Sequence, residues 1–166
     1  MYSSQLLLPA YSSPNRTGYI FNFKIKFEPA KKTRFKATCM LSQSIVRELK
    51  RVLSVLIMLN SNWQTITGNI VVEGKYSRYE AVETCSAGLG IAIALFNLAR
   101  KVNGSATTQA LIGTGFVRPS GLIEGVLGLQ SKTEAATHYL GYQTKLITAA
   151  DINHLLNLEE NLLRYC

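Results

Sequence analysis

Cysteine, histidine and acidic residues are scarce in this 166-residue chain, and each scarcity excludes something. The three cysteines, Cys39, Cys85 and Cys166, form an odd, widely spaced set. That pattern argues against a disulfide framework and reads as a reduced, cytoplasmic chain. The two histidines, His138 and His154, stand at no metal-ligand spacing with those cysteines, so neither a metal nor another cofactor is expected. The longest strongly apolar runs, Val52–Leu59 and Gly88–Ala99, fall short of the about 20 residues that cross a bilayer. No positive charge precedes Leu6-Leu7-Leu8, so no secretory signal is expected. Internal repeats, low-complexity tracts and interdomain linkers are missing. The length then fits a single domain over 1–166, with N-terminal strands or an arm over 1–39 and a core over 40–166.

Acidic residues number ten against 18 Lys and Arg, a net charge of +8. The excess is local. Residues 1–51 hold ten cations and two acids, whereas residues 52–166 hold eight of each. Such asymmetry marks either a surface for nucleic acid or an acidic partner, or a solvated strand face. Lys24 and Lys26 alternate with Phe23, Ile25 and Phe27, which favours the solvated strand, and no nucleic-acid-binding motif accompanies the charge.

Periodicity predicts alternating strands and helices. The first 17 residues or so, with Pro9 and Pro14, read as a short strand or arm and a turn. Strands are expected over Tyr19–Phe27, Arg34–Cys39, Thr67–Glu73, Gln109–Val117, Leu122–Leu127 and Thr144–Thr148. Helices are expected over Ser42–Asn60, Ser86–Lys101, Ser131–Leu140 and Asp151–Arg164. Lys75–Thr84 reads as a polar connection. The order implies an α+β fold of mixed layers. Leu155, Leu156, Leu158, Leu162 and Leu163 put apolar side chains on more than one face of the last helix, which points to a homo-oligomer or a larger partner.

Two residues carry candidate chemistry. Ser86 lies in Cys85-Ser86-Ala87-Gly88-Leu89-Gly90, immediately before an apolar helix. A serine on a tight turn there can act as a nucleophile, because the helix-terminal N–H groups stabilise an oxyanion. Lys132 follows 46 residues later in Gly128-Leu129-Gln130-Ser131-Lys132, again at a helix start. A lysine held neutral by apolar neighbours, here Leu127 and Leu129, can take the serine's proton. Together they suggest a Ser-Lys dyad. The small Ala87 and Gly88 would let a substrate backbone approach.

The stretch Thr114–Lys132 resembles the proteolytic domain of Lon proteases. That family reads roughly T-G-E-h-x-x-x-G-x-V-x-P-V-G-G-h-x-x-K, with h apolar. Laid on without a gap, it meets Thr114, Gly115, Gly121, Ile123, Val126, Gly128, Leu129 and Lys132. Ser86-Ala87-Gly88 is similar to the family's D-G-P-S-A-G motif, and Ala135-Ala136, Gly141 and Thr144–Thr148 fit the family's ending. The resemblance spans about residues 40–155. The chain departs from it at Glu83-Thr84-Cys85 before the serine, at Phe116 for the acid, at Gly125 for the proline and at Leu127 for a glycine.

The resemblance implies a Lon-like fold and a serine endopeptidase. Ser86 would be the nucleophile, Lys132 the base, and Thr114 the residue that orients the lysine. Protein substrates are implied, unfolded or delivered by a separate ATPase, since this sequence carries no ATPase module. Glu83 and Cys85 are secondary candidates. Two other readings stand beside it. Lon-like domains also serve as non-catalytic scaffolds, and the basic N-terminal third suits a binding role toward nucleic acid or an acidic partner. A phosphate-cradling glycine turn at Ser86–Gly90 is the weaker one, because the Walker lysine motif is missing.

Overall fold

Alternation of apolar and polar residues over Phe21–Phe27 dictates the second strand, and both it and the strand before it are longer than the sequence suggests. In a computed structural model, which describes residues 1–12, 17–75, 84–140 and 146–166, β1 (Tyr2–Ser12) and β2 (Thr17–Pro29) pair antiparallel along their whole length. The expected N-terminal arm is thus an edge strand. It stays attached because both of its faces are covered: Leu6 and Leu8 pack in the core with Phe21, Phe23, Ile25 and Phe27 of β2, and Leu7 on the other face packs with Ile112, Ala136 and Leu146. β3 (Arg34–Ala37) stops two residues short of the expected Cys39, where the chain turns into α1 (Met40–Leu59). β4 (Gly68–Glu73) then inserts between β2 and β3, antiparallel to the first and parallel to the second. Parallel neighbours need a crossover, and α1 provides it.

The sheet order is β1-β2-β4-β3, so β1, β2 and β3 form one sheet with β4. α1 buries Ile45, Leu49, Val52, Leu53 and Leu56 at helical spacing against this sheet and its neighbours. Its start is anchored by Ser42. The Ser42 hydroxyl accepts the N–H of Cys39 at 2.9 Å and of Thr38 at 3.1 Å, and donates to the Cys39 carbonyl at 2.8 Å. Gly68 opens β4 with φ 155°, where a Cβ would stand 2.2 Å from the Glu28 carbonyl oxygen.

α2 (Gly88–Val102) follows a 3-10 turn over Thr84–Ala87. The expected strand over Gln109–Val117 is two separate pieces, β5 (Ile112–Gly113) and β6 (Phe116–Val117), which belong to different sheets. Thr114-Gly115 changes the strand's partner and so divides it. β6 pairs antiparallel with β7 (Ile123–Glu124), around the turn at Pro119-Ser120-Gly121. α3 (Leu129–Leu140) precedes β8 (Leu146–Ile147), which runs parallel to β5. Of the expected strand, Leu146 and Ile147 are paired and Thr148 is not; Thr144, Lys145 and Gly141 lie outside the described residues.

The last helix is also shorter than expected. Residues 151–154 are not helical, Leu155–Asn157 is a 3-10 turn, and α4 covers only Leu158–Leu163. The reason is local: Asp151 bonds back to Thr148, and His154 Nδ1 accepts the Leu156 N–H at 3.1 Å, so both side chains stabilise turns instead of a continuous helix. Leu155, Leu158 and Leu162 are buried, which reduces the apolar surface offered by this segment to Leu156 and Leu163. Among the described residues no helix is long and apolar enough to cross a membrane.

The Ser42 anchor generates a prediction. Ser42→Ala leaves the Thr38 and Cys39 N–H groups, at a partly buried helix start, without their acceptor. Stability should fall by about 1–2 kcal/mol, read as a lower urea midpoint at unchanged slope.

Candidate active site

The site is built where α2 meets the segment 113–117, and glycine makes that approach possible on both sides. A Cβ on Gly88 would stand 2.9 Å from Val117 Cγ2. One on Gly90 would stand 2.9 Å from both the Gly113 carbonyl oxygen and Leu8 Cδ2. One on Gly115 would meet Ile123 Cγ2 at 2.8 Å. Gly88 therefore serves packing, with Val117 filling the space that the sequence reading reserved for a substrate backbone. α2 is buried from Gly88 through Phe96, and it is apolar all round because it has neighbours all round.

Ser86 sits in the 3-10 turn, two residues before α2. It is not the helix N-cap: that position is Ala87, which makes no side-chain cap bond. The Ser86 carbonyl accepts the Gly115 N–H at 3.0 Å, and the Gly115 carbonyl accepts the Leu89 N–H at 3.1 Å. These reciprocal bonds lock the turn to the 113–117 segment. On its other side the same segment is held by β8, through the Thr114 N–H to the Ile147 carbonyl at 2.9 Å. Thr114 is thereby fixed from both sides and is 1% exposed.

Lys132 comes from the first turn of α3. Its N–H makes the opening helical bond to the Gly128 carbonyl at 3.0 Å, and Gly128 adopts φ 70°, a conformation that glycine takes without a Cβ penalty. The side chain is 4% exposed. Leu127 and Leu129 do not bury it, since they are themselves 81% and 43% exposed. Lys132 instead shares the inward helix face with Ala136, one turn on, which packs with Leu7, Ile112 and Leu146. Lys132 Nζ donates to Thr114 Oγ1 at 3.5 Å, and the Thr114 hydroxyl donates to the Ser86 carbonyl at 3.4 Å. Both contacts are long. They nonetheless bring the three candidates into one buried cluster from three separate elements.

Of the secondary candidates, Glu83 and the side chain of Cys85 lie outside the described residues. Among the described residues no three His, Cys, Asp or Glu converge as a metal site.

Three supporting residues, Arg51, Arg118 and Asp151, were missed in the sequence. Arg51 on α1 donates to the Val117 carbonyl, pairs with Glu48 at 2.5 Å and lies 5.2 Å from the Phe116 ring centre. Arg118 lies 5.4 Å from the same ring and pairs with Glu124 at 2.8 Å. Phe116, which replaces the acid of the family pattern, thus carries two guanidinium contacts. Asp151 Oδ2 accepts the Thr148 N–H at 2.9 Å and so secures the turn after β8, whose Ile147 carbonyl holds Thr114. The Glu48/Arg51 spacing was the only sequence signal for the first, and Asp151 read as a helix start.

The close approach at α2 can be tested directly. Gly90→Ala forces a methyl group against the Gly113 backbone and should cost at least about 2 kcal/mol in denaturant unfolding. Gly125→Ala, with nothing within 4 Å of the added carbon, should change stability by less than about 0.5 kcal/mol.

No protein-family model matches this chain, and no curated protein matches it in sequence.

Proposed function

We propose that the chain is a Lon-like serine peptidase with a Lon-like fold, acting through Ser86 and Lys132. One observation carries the reading: a lysine buried to 4% exposure shares a hydroxyl partner, Thr114, with the turn that holds Ser86. Burial works against the ammonium form of a lysine, which is the condition for its use as a base at neutral pH. In the proposed reaction the Lys132 amine takes the Ser86 hydroxyl proton as Oγ attacks the peptide carbonyl. The proton passes to the leaving amine, the C–N bond breaks and an acyl-enzyme remains. Water then adds to the ester with Lys132 again accepting a proton, the acid product leaves, and Ser86 regains its proton. Thr114 holds the amine in place. N–H groups at the turn before α2 serve the oxyanion, where the helix dipole favours negative charge.

Unfolded or delivered protein segments are the proposed substrates, and folded ones would need an ATPase or another delivery partner. A non-catalytic role of the same cluster, as a buried polar brace between α2, β5 and α3, is the competing reading.

Two measurements separate them. Ser86→Ala and Lys132→Met should each lower cleavage of an unstructured protein such as casein by roughly 10³-fold or more, and the double variant by little more than either. Full activity in either single variant overturns the dyad.

The pH dependence has a definite sign. The base works as the neutral amine, so kcat/KM should fall as pH drops through the lysine's folded-state pKa and level off above it. A profile flat from about pH 6 to 10, with chemistry limiting, excludes a lysine base.

A further inference from the structure

Four of the ten cations of residues 1–51, Lys24, Lys26, Arg34 and Lys36, lie on one face of the sheet. Strand register decides which side chains share a face. Lys26 stands opposite Val71, which stands opposite Lys36, while Glu28, Asn69 and Arg34 form the next row and Lys24 faces Glu73. The alternate rows, Phe27-Ile70-Phe35 and Ile25-Val72-Ala37, lie on the opposite face, where α1 covers them. Lys24, Arg34 and Lys36 are exposed and Lys26 is half-buried. Exposed Lys31 and Lys32, in the connection from β2 to β3, extend the same edge. Six cations thus meet two carboxylates, one of which, Glu73, is engaged by Lys26 at 2.6 Å.

Cations two residues apart on one strand are about 6.8 Å apart, and β2 and β3 are separated by two strand spacings, about 10 Å. Lys24 and Glu73 also line an open pocket of about 970 Å³ with Gln5, Asn22, Lys75 and Lys101, so further cations join the array beside β2. Among the described residues at the β2–β4–β3 end of the face the one apolar side chain is Val71, which is half-buried; further along β2 the exposed Tyr139 of α3 borders the face and its hydroxyl accepts from Asn22 Nδ2 at 3.2 Å. A folded protein partner needs an apolar anchor at the centre of its interface. A nucleic-acid backbone needs only distributed cations.

We infer that this face binds nucleic acid through its phosphates, without sequence preference. Among the described residues a single exposed aromatic, Tyr139, borders the face, too few for a run of stacked bases, so the cations carry the contact through phosphates. Binding is weak at physiological salt, with a dissociation constant of roughly 10⁻⁴–10⁻⁶ M, and tight only at low salt. The inference is independent of the peptidase reading. α3, which carries Lys132, packs at the other end of β2, where the Ser131 carbonyl oxygen would stand 2.2 Å from a Cβ on Gly18.

The test is fluorescence anisotropy of the full chain with a random-sequence duplex of about 30 base pairs, from 50 to 200 mM NaCl. The log-affinity against log-salt slope should be about −4, for roughly four neutralised phosphates. The double variant Lys24→Gln/Lys36→Gln should make it shallower by about 2, whereas Arg164→Gln, outside the face, should leave it unchanged. An unchanged slope in the double variant, or no binding at 50 mM salt, overturns the inference. So does competition by polyglutamate equal to that of the duplex, or binding confined to phosphatidylserine vesicles, since each assigns the face to a different partner. The readout contains no peptide cleavage, so its failure leaves the peptidase reading untouched.

Discussion

The close approach of α2 to the segment 113–117 is the constraint on which the rest of this structure depends. Helix and strand backbones meet at a distance that admits no side chain at Gly88, Gly90, Gly113 or Gly115. Because they meet, Gly115 can exchange main-chain hydrogen bonds with Ser86 in the turn before α2 and with Leu89 in its first turn. Those bonds fix Ser86, and the same segment fixes Thr114 against β8. Packing free energy from a helix buried all round is what holds this contact closed, as the hydrogen bonds alone contribute only about 1 kcal/mol each.

Within that frame a buried lysine is costly, and the fold meets the cost with specific contacts. Lys132 enters from α3 with Ala136 beneath it and the Thr114 hydroxyl at its tip. Desolvation weakens the case for charge at such a site and strengthens the case for a neutral amine. The supporting contacts lie further out: Arg51 ties α1 to the Val117 carbonyl, and Asp151 secures the turn that follows β8. Each stabilises a backbone position, and through it the cluster.

The two faces of the main sheet divide the labour. One face is apolar and carries α1. The other is covered by α3 at one end and left to lysine and arginine at the other. Charge on an exposed sheet face also discourages edge pairing with other chains, a need that β3, at the sheet edge with Arg34 and Lys36, shares.

Much of the α+β order was legible from the chain alone. Strict alternation over Tyr19–Phe27 and the helical spacing of Ile45, Leu49, Val52 and Leu56 are local patterns with one physical solution each, and β2 and α1 follow them. The solvated character of Lys24 was readable for the same reason, as was the glycine-rich start of α2. The split of Gln109–Val117 into β5 and β6 was not, because a strand's length depends on which partner each residue finds. The shortened last helix depended on side chains bonding back to local turns. Nor could Leu127 and Leu129 be told apart from buried leucines by type: hydrophobicity makes burial favourable, but only the path of the chain decides which apolar residues reach the interior. The sequence by itself determined the residue types at Ser86, Thr114 and Lys132 and the local elements that carry them. That a helix turn, a strand break and a second helix bring them into one dry cluster was decided by the tertiary structure, because contacts between distant segments depend on packing that no local pattern encodes.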